Sequence, residues 1–262
     1  MLIKKTDVSD HGARMTTDYH FEDFTEKKYR QILKVAHKNY ICIPFSGYAN
    51  CQKTLLLRHD IDFSVHRAYK IATIESEQNM QSTFFLWIHS PFYNLFEDEI
   101  FGLIHKIIDL GHDIGLHFDC GFYNSYIQNT DFLENLAYER RILEHFFGER
   151  VRAFSFHNPT DAILSEYQED QYSGMVNAYS KYIRLHFEYC SDSNGYWRFQ
   201  RLPDLIRQAK SGNLQILTHP EWWTPGVLSP RERITRCIEG RGRKQHKWYD
   251  DELKKIGRIN VD

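Results

Sequence analysis

The sequence predicts an α/β fold on a mostly parallel sheet, and three observations lead there. Strand-like apolar runs recur at about 54–61, 83–89, 113–118, 151–157, 186–191 and 213–219. Between most of them lie stretches whose apolar residues repeat at helical spacing. The spacing from strand to strand, roughly thirty residues, suits right-handed strand–helix–strand crossovers, which imply parallel pairing in a sheet either open or closed into a barrel.

In chain order, "FEDFTEKKYRQILKVAHKNY" reads as a helix ahead of the first sheet strand, placed to cap the barrel. "LLLRHDID", residues 55 to 62, then runs three leucines suited to a buried strand straight into Arg58, His59, Asp60 and Asp62. Ser64 follows as the N-cap of a helix whose apolar face is Ala68, Ile71, Ala72 and Ile74, ending near Asn79. "EDEIFGLIHKIIDLG" sets Ile100, Leu103, Ile104, Ile107 and Ile108 at helical spacing, with Gly111 as its stop, and "FLENLAYERRILEHFFG" repeats the design up to Gly148. The C-terminal "RERITRCIEGRGRKQHKWYDDELKKIG" is polar and mixed in charge.

With 262 residues and no repeat, low-complexity tract or Pro/Ser-rich linker, a single domain over 1–262 is expected. Its parts are a core over 50–225, an N-terminal helical extension over 1–49 and a C-terminal helical tail over 226–262. A hydrophobic share of 42% is globular, and a formal net charge of -2 gives no overall pull toward nucleic acid or anionic lipid. The basic cluster from Arg241 to Lys247 is flanked by acids, so it reads as a solvated face, with peripheral membrane contact as the alternative. No apolar run resembles a signal-peptide core or a membrane span, and a cytoplasmic location is expected. Five cysteines without CxxC spacing (Cys42, Cys51, Cys120, Cys190 and Cys237) read as free thiols. The oligomeric state is not legible.

Polar residues collect where the strands end. Alternation puts Arg58, Asp60 and Asp62 on one face of their strand and His59 and Ile61 on the other. "GHDIGLHFD" carries His117 and Asp119 on one face, "RAFSFHNP" ends in His157, "EYCSDSNGYW" carries Asp192, and "LQILTHPEWW" ends in His219. A lone histidine after a strand is ordinarily structural and a lone aspartate ordinarily a helix cap. Five coincident ends on the carboxyl rim of a parallel sheet, where such folds bind ligands, point to a site. Oxygen and imidazole donors without thiolate suit zinc or another divalent first-row metal. A metal with a nearby ionised carboxylate and a histidine on its far side suits hydrolysis of an amide or ester.

These motifs resemble, in order between residues 55 and 223, those of the polysaccharide deacetylases of the NodB-homology type. The resemblance implies a distorted (β/α) barrel that removes an acetyl group from a sugar. In "RHDID" it makes Asp60 the catalytic base and Asp62 a metal ligand. In "GHDIGLHFD" it makes His117 a metal ligand, in "SFHNP" it supplies a groove wall, in "SDSNGYW" it gives acidic Asp192 and aromatic Trp197, and in "LTHP" it makes His219 the general acid. Two departures matter. The family's second metal-binding His, four residues after the first, is Gly121 here, and His157 stands where an Arg usually orients the base. His157 is the preferred third ligand, against Asp119, a water or no tight metal; it would otherwise hydrogen-bond Asp60. Arg58 either replaces the missing Arg by keeping Asp60 ionised or only neutralises a crowded carboxylate pair. Aromatics near the rim (Phe118, Phe122, Tyr123, Trp197, Trp222 and Trp223) are candidate sugar walls, the adjacent tryptophans above all. The expected partner is an acetylated sugar or sugar precursor of a surface polysaccharide, the expected cofactor zinc. Rival readings are a hydrolase of small non-sugar amides and a non-catalytic carbohydrate-binding descendant.

Overall fold

In the computed structural model, which describes residues 19–48, 52–123 and 131–261, the chain is an α/β fold around one curled sheet. Its strands are β1 (Ile41–Cys42), β2 (Thr54–Ile61), β3 (Thr83–Leu86), β4 (Asp113–Phe118), β5 (Ala153–Phe156), β6 (Gln171–Tyr172), β7 (Met175–Asn177), β8 (Glu188–Ser191) and β9 (Leu214–Thr218). They run in the order β6-β7-β5-β4-β3-β2-β9-β8, and every pairing is parallel except the β6–β7 hairpin. β1 occupies the start of β2, with Ile41 opposite Thr54, ahead of the point where Arg58 meets Thr83 of β3.

The helices are α1 (Glu26–Asn39), α2 (Val65–Ser76), α3 (Asp98–Asp109), α4 (Cys120–Phe122), α5 (Phe132–Phe147), α6 (Asp161–Glu166), α7 (Lys181–His186), α8 (Leu202–Gln208) and α9 (Pro230–Lys255). Ser64 caps α2 as its sequence predicts, accepting from the Arg67 amide. α5 ends at Gly148, whose φ of +69° is the left-handed conformation glycine adopts without penalty. Gly111, at φ +89°, turns the chain after α3.

Alternation sorts the side chains into two cores. Leu55, Leu57 and Ile61 of β2, Ile114, Leu116 and Phe118 of β4, and Phe154 and Phe156 of β5 pack outward against α1, α2, α3 and α5. Leu56, Phe85, Ala153, Val176 and Ala178 fill the concave side with Phe45, Ile183 and Phe187. The curl lets opposite sheet regions touch, because Gln215 of β9 donates to the Ala178 carbonyl just beyond β7 at 3.2 Å. Gly115 of β4 makes the interior possible: a Cβ there would lie 2.6 Å from Phe85.

Several expectations need correction. α1 does not cap a barrel; it lies in the outer layer between α2 and α8, burying Tyr29, Ile32, Leu33 and Ala36. The N-terminal extension is not purely helical, since it supplies β1. Short β6 and β7 were not expected, because residues 158–185 offer no long apolar run. The C-terminal tail is one helix with a Ser229/Glu232 capping box, and its polarity follows from burying only Arg233. No helix of the described residues is long and apolar enough to cross a membrane. Cys42, Cys120, Cys190 and Cys237 are free thiols, while Cys51 and the first eighteen residues lie outside the described residues.

A polar knot ties the outer layer to β2. Glu75 of α2 is fully buried; it accepts from Tyr29 of α1, lies 2.6 Å from His59 Nε2 and accepts from Ser82 at 2.5 Å. Burial pushes its pKa up, but the charges and hydrogen bonds of His59, His112 and Ser82 bring it below the ordinary carboxylate value. A depressed folded pKa stabilises above the unfolded value of about 4.3, and that contribution is lost as pH falls toward the folded one. Glu75→Gln is therefore expected to cost about 3 kcal/mol near neutral pH, and the loss should shrink at acid pH. Denaturant unfolding at pH 7 and pH 4 checks this; an equal loss at both would remove Glu75 as the source.

Candidate active site

β2 turns Leu56, Arg58 and Asp60 to the concave side, and Asp62, one residue past its end, continues the series. Ile61, Leu86, Leu116 and Phe154 stand in register across four strands, so the next row brings Asp62, Trp87, His117 and Ser155 together at the carboxyl rim. On the other side His59 pairs with Thr218 of β9, which puts His219 beside Asp60.

Arg58 and Asp60 form a buried fork: Nε donates to Oδ1 at 2.8 Å and Nη2 to Oδ2 at 2.6 Å. The guanidinium carbon lies 4.6 Å from the Tyr179 ring centre and 5.4 Å from that of Phe85. Burial raises the pKa of Asp60, but the charge of Arg58 and its hydrogen bonds outweigh it and bring the pKa below the ordinary carboxylate value.

Just past the end of β2, Asp62 meets two imidazoles. Its Oδ1 lies 3.4 Å from His117 Nε2 and 3.9 Å from His157 Nδ1, and those two nitrogens are 3.2 Å apart. Ligands about 2.0–2.2 Å from one tetrahedral zinc stand roughly 3.3–3.5 Å from each other, so this donor set fits a divalent ion. Asp62 Oδ1 is buried and has no hydrogen-bond partner among the described residues, an orphan that a cation would satisfy. Ser155 Oγ sits 2.7 Å from His117 Nδ1 and, donating its own proton toward Asp60, accepts a hydrogen bond from Nδ1–H, the tautomer with a lone pair on Nε2. Burial, then the neighbouring His117, pushes the His157 pKa down and favours the neutral ring that a metal requires. The His157 ring stacks on Trp87, centres 3.8 Å apart, with the Asn158 amide 2.9 Å from its Nε2.

His219 closes the cluster from β9, its Nε2 3.9 Å from Asp62 Oδ2. Buried Asp192 holds it at Nδ1 (2.7 Å) and through its backbone amide, and also accepts from Trp223 Nε1 at 3.1 Å. Burial disfavours the charged ring, but the Asp192 carboxylate dominates and raises the His219 pKa to about 10. Imidazolium is thus the neutral-pH form, with Nε2–H turned to the cluster.

An open cleft of about 350 Å³ lies over these groups, lined among others by Asp62, Trp87, Phe92, His157, His219 and Trp222. Asp60 and His117 sit beneath its floor, each about 2% exposed. Other residues expected at the site lie elsewhere. Trp197 stacks on Phe24 and donates to Asp23, in the outer core rather than the cleft. Asp119 caps α4 by accepting from the Phe122 amide, and Gly121 is exposed. Of the adjacent tryptophans, Trp222 reaches the cleft and Trp223 is wholly buried. Phe118 and Tyr123 belong to the outer core, while Phe122 stacks on His89. Burial pushes the Cys120 thiol up to about 12, which keeps it from acting as a nucleophile.

Sequence reasoning passed over Ser155, Trp87, Asn158 and Glu221. Glu221 is fully buried with neither oxygen hydrogen-bonded among the described residues, and burial raises its pKa well above the ordinary carboxylate value. The available signal was position, since each lies within two residues of a polar strand end.

No family model matches the chain, and no curated protein matches it. Solved structures similar to it include a family 4 acetyl xylan esterase from Clostridium thermocellum in complex with a cobalt ion, at 14% identity and TM-score 0.43 over 72% of this chain and 84% of that one. A polysaccharide deacetylase from Bacillus cereus aligns at 14% identity and TM-score 0.41, over 72% and 88% of the two chains. A CE4-family pseudoenzyme from Bacillus anthracis aligns at 16% identity and TM-score 0.38, over 71% of this chain and 60% of that one.

The His219–Asp192 pair has a consequence for pH. A folded pKa of about 10 lies above the unfolded value of about 6.5, so the stabilisation is complete below about 6.5 and disappears as pH rises through about 10. In Asp192→Asn the His219 titration followed by NMR should fall toward 6.5, with about 3 kcal/mol lost at pH 6. An unchanged midpoint would locate the cause of the shift elsewhere.

Proposed function

We propose that this chain is a metal-dependent deacetylase of the NodB-homology kind, acting in the cytoplasm on an N-acetylated sugar in a precursor of a surface polysaccharide. The observation that carries the reading is the Asp62–His117–His157 triangle, a three-ligand set open toward the cleft, with His219 across from it. The order of the five motifs supports the same reading, and His157 takes the place that Gly121 leaves empty in the family pattern.

A divalent ion held by Asp62, His117 and His157, zinc by the chemistry of the donors, would polarise the acetyl carbonyl and acidify the attacking water. Asp60 accepts the proton of that water; Arg58 uses one lone pair on each of its oxygens and keeps it ionised beforehand. His117, through Ser155, links the ligand set to the base, since Ser155 Oγ lies 3.5 Å from Asp60 Oδ1. His219 delivers its Nε2 proton to the departing amine, and Asp192 stabilises the imidazolium and fixes the ring. Trp222 and Trp87 provide flat apolar faces at the cleft for a pyranose ring.

One observation favours a second reading. Asp60 is buried with both oxygens on Arg58, as suits a group with only a structural task, and a non-catalytic carbohydrate-binding descendant would keep that pair.

Metal analysis and acetate release decide between them. Wild type is expected to hold about one divalent ion per chain, lost in Asp62→Ala and in His157→Ala, and to release acetate from an N-acetylated sugar until treated with chelator. Asp60→Asn should keep the ion and lose about 10²–10⁴-fold in kcat. Sugar binding indifferent to chelator and to Asp60→Asn, with no acetate released, would select the binding descendant. Retention of the ion in His157→Ala would move the third ligand to another residue.

A further inference from the structure

A second cavity of about 230 Å³ adjoins the cleft, between the start of α2 and the side of α9 that faces it. Phe63 and Phe92, whose ring centres lie 4.2 Å apart, line both spaces and form their common wall. The lining of this second cavity includes His66, Arg67, Arg236, Arg241, Arg243 and Lys244, and no carboxylate. It is smaller than the roughly 300–1,000 Å³ of sites that bury a whole drug-sized ligand, so it suits one charged group of a larger molecule.

We propose that this cavity binds the phosphate or diphosphate of a substrate whose acetylated sugar lies in the adjoining cleft, so that the enzyme acts on a sugar linked through its anomeric carbon to diphosphate. This rests on the deacetylase reading and deepens it by naming the substrate class.

Three observations carry it. Arg67 is buried, 8% exposed, and lines the cavity with its Nε lacking any hydrogen-bond partner among the described residues. Its other bonds, from Nη2 to Glu26 and to the Trp223 carbonyl, hold the guanidinium in place. Ser64, Val65 and His66 bring the N-terminus of twelve-residue α2 to the same cavity, where backbone amides and the helix dipole favour an anion. Arg236 is exposed and has no ion pair among the described residues, so its charge is available to a ligand. Arg241 and Lys244 are tied to Glu97 and Glu99, which makes them rim groups rather than principal contacts. Glu26 pairs with Arg67 and Glu239 with Arg243, so Arg236 is the arginine of this lining without a carboxylate partner among the described residues. Burial, with a smaller contribution from Arg236, lowers the Arg67 pKa even against Glu26.

Calorimetry with inorganic pyrophosphate on the metal-loaded protein tests the cavity without any reliance on turnover. Wild type should bind it, and the double variant Arg236→Glu/Arg243→Glu, altered only at exposed positions of α9, should bind at least about tenfold more weakly. Lys247→Glu, on the same helix outside the cavity, should bind as wild type does. No binding, or binding equal in wild type and double variant, overturns the proposal; the latter is also what capture by the metal centre would give. Acetate release then links cavity to reaction. The kcat/KM for an N-acetylated sugar nucleoside diphosphate should exceed that for the free N-acetylated sugar by at least about tenfold, and the double variant should lose that excess while keeping its rate on the free sugar. A polyprenyl diphosphate-linked sugar in detergent micelles, compared with the nucleotide, identifies which source supplies the diphosphate. Pyrophosphate binding that follows the variants with no acetate released from any substrate would leave the anion site standing and sink the deacetylase reading. Turnover with equal preference for free and diphosphate-linked sugars would overturn the anion site's role and leave that reading intact.

Discussion

The buried ion pair of Arg58 with Asp60 is the constraint on which the rest of the site depends. Two charges at alternate positions of one strand, both facing a closed concave interior, are costly to desolvate unless each meets its complement with good geometry. The bidentate fork provides that geometry, and the rings of Tyr179 and Phe85 give the guanidinium a face on which to rest. Phe85 can lie there only because Gly115 on the next strand has no side chain. With Arg58 fixed, Asp60 is fixed, and the remaining polar atoms of the site fall into place around its free lone pairs.

The same strand manages charge on its other face by a separate route. His59 points outward, reaching Glu75 with one ring nitrogen and Thr218 with the other. Glu75 in turn gathers Tyr29 and Ser82, so α1, α2, β2 and the start of β3 meet at one carboxylate. The charged run that follows three leucines is therefore not an exposed strand terminus. It is a pair of buried networks on opposite sides of one sheet, one joining strand to helix layer and the other building the floor of the cleft.

Charge balance gives the cleft its chemical direction. Asp62 is surrounded by His117, His157 and His219, each of which brings a ring nitrogen within 3.9 Å of a carboxylate oxygen. The rings differ in what lies behind each: a serine hydroxyl behind His117, an asparagine amide and an indole face around His157, and a buried carboxylate behind His219. Three chemically identical side chains are thereby given different electrostatic surroundings by their neighbours alone.

Much of this was legible in the sequence, because it follows from local rules. Period-two alternation in "RHDID" placed Arg58, Asp60 and Asp62 on one face, helical spacing and the Ser64 and Gly148 caps marked the helices, and polar strand ends named His117, His157, Asp192 and His219. What local rules could not supply was depth and neighbourhood. Trp197, Trp222 and Trp223 look alike as aromatics near a rim, yet only the packing of Phe24 against the first and third separates core from cleft. Asp119 and His157 were both possible third ligands on paper. The β4–β5 register, which sets Phe118 opposite Phe156, brings His157 to His117, while Asp119 is already occupied in capping α4. Strand periodicity is a property of one segment and can be read from it. Which two segments meet, and which side chain is nearest a given oxygen, depends on pairings between residues distant in the chain, and those exist only in the folded sheet.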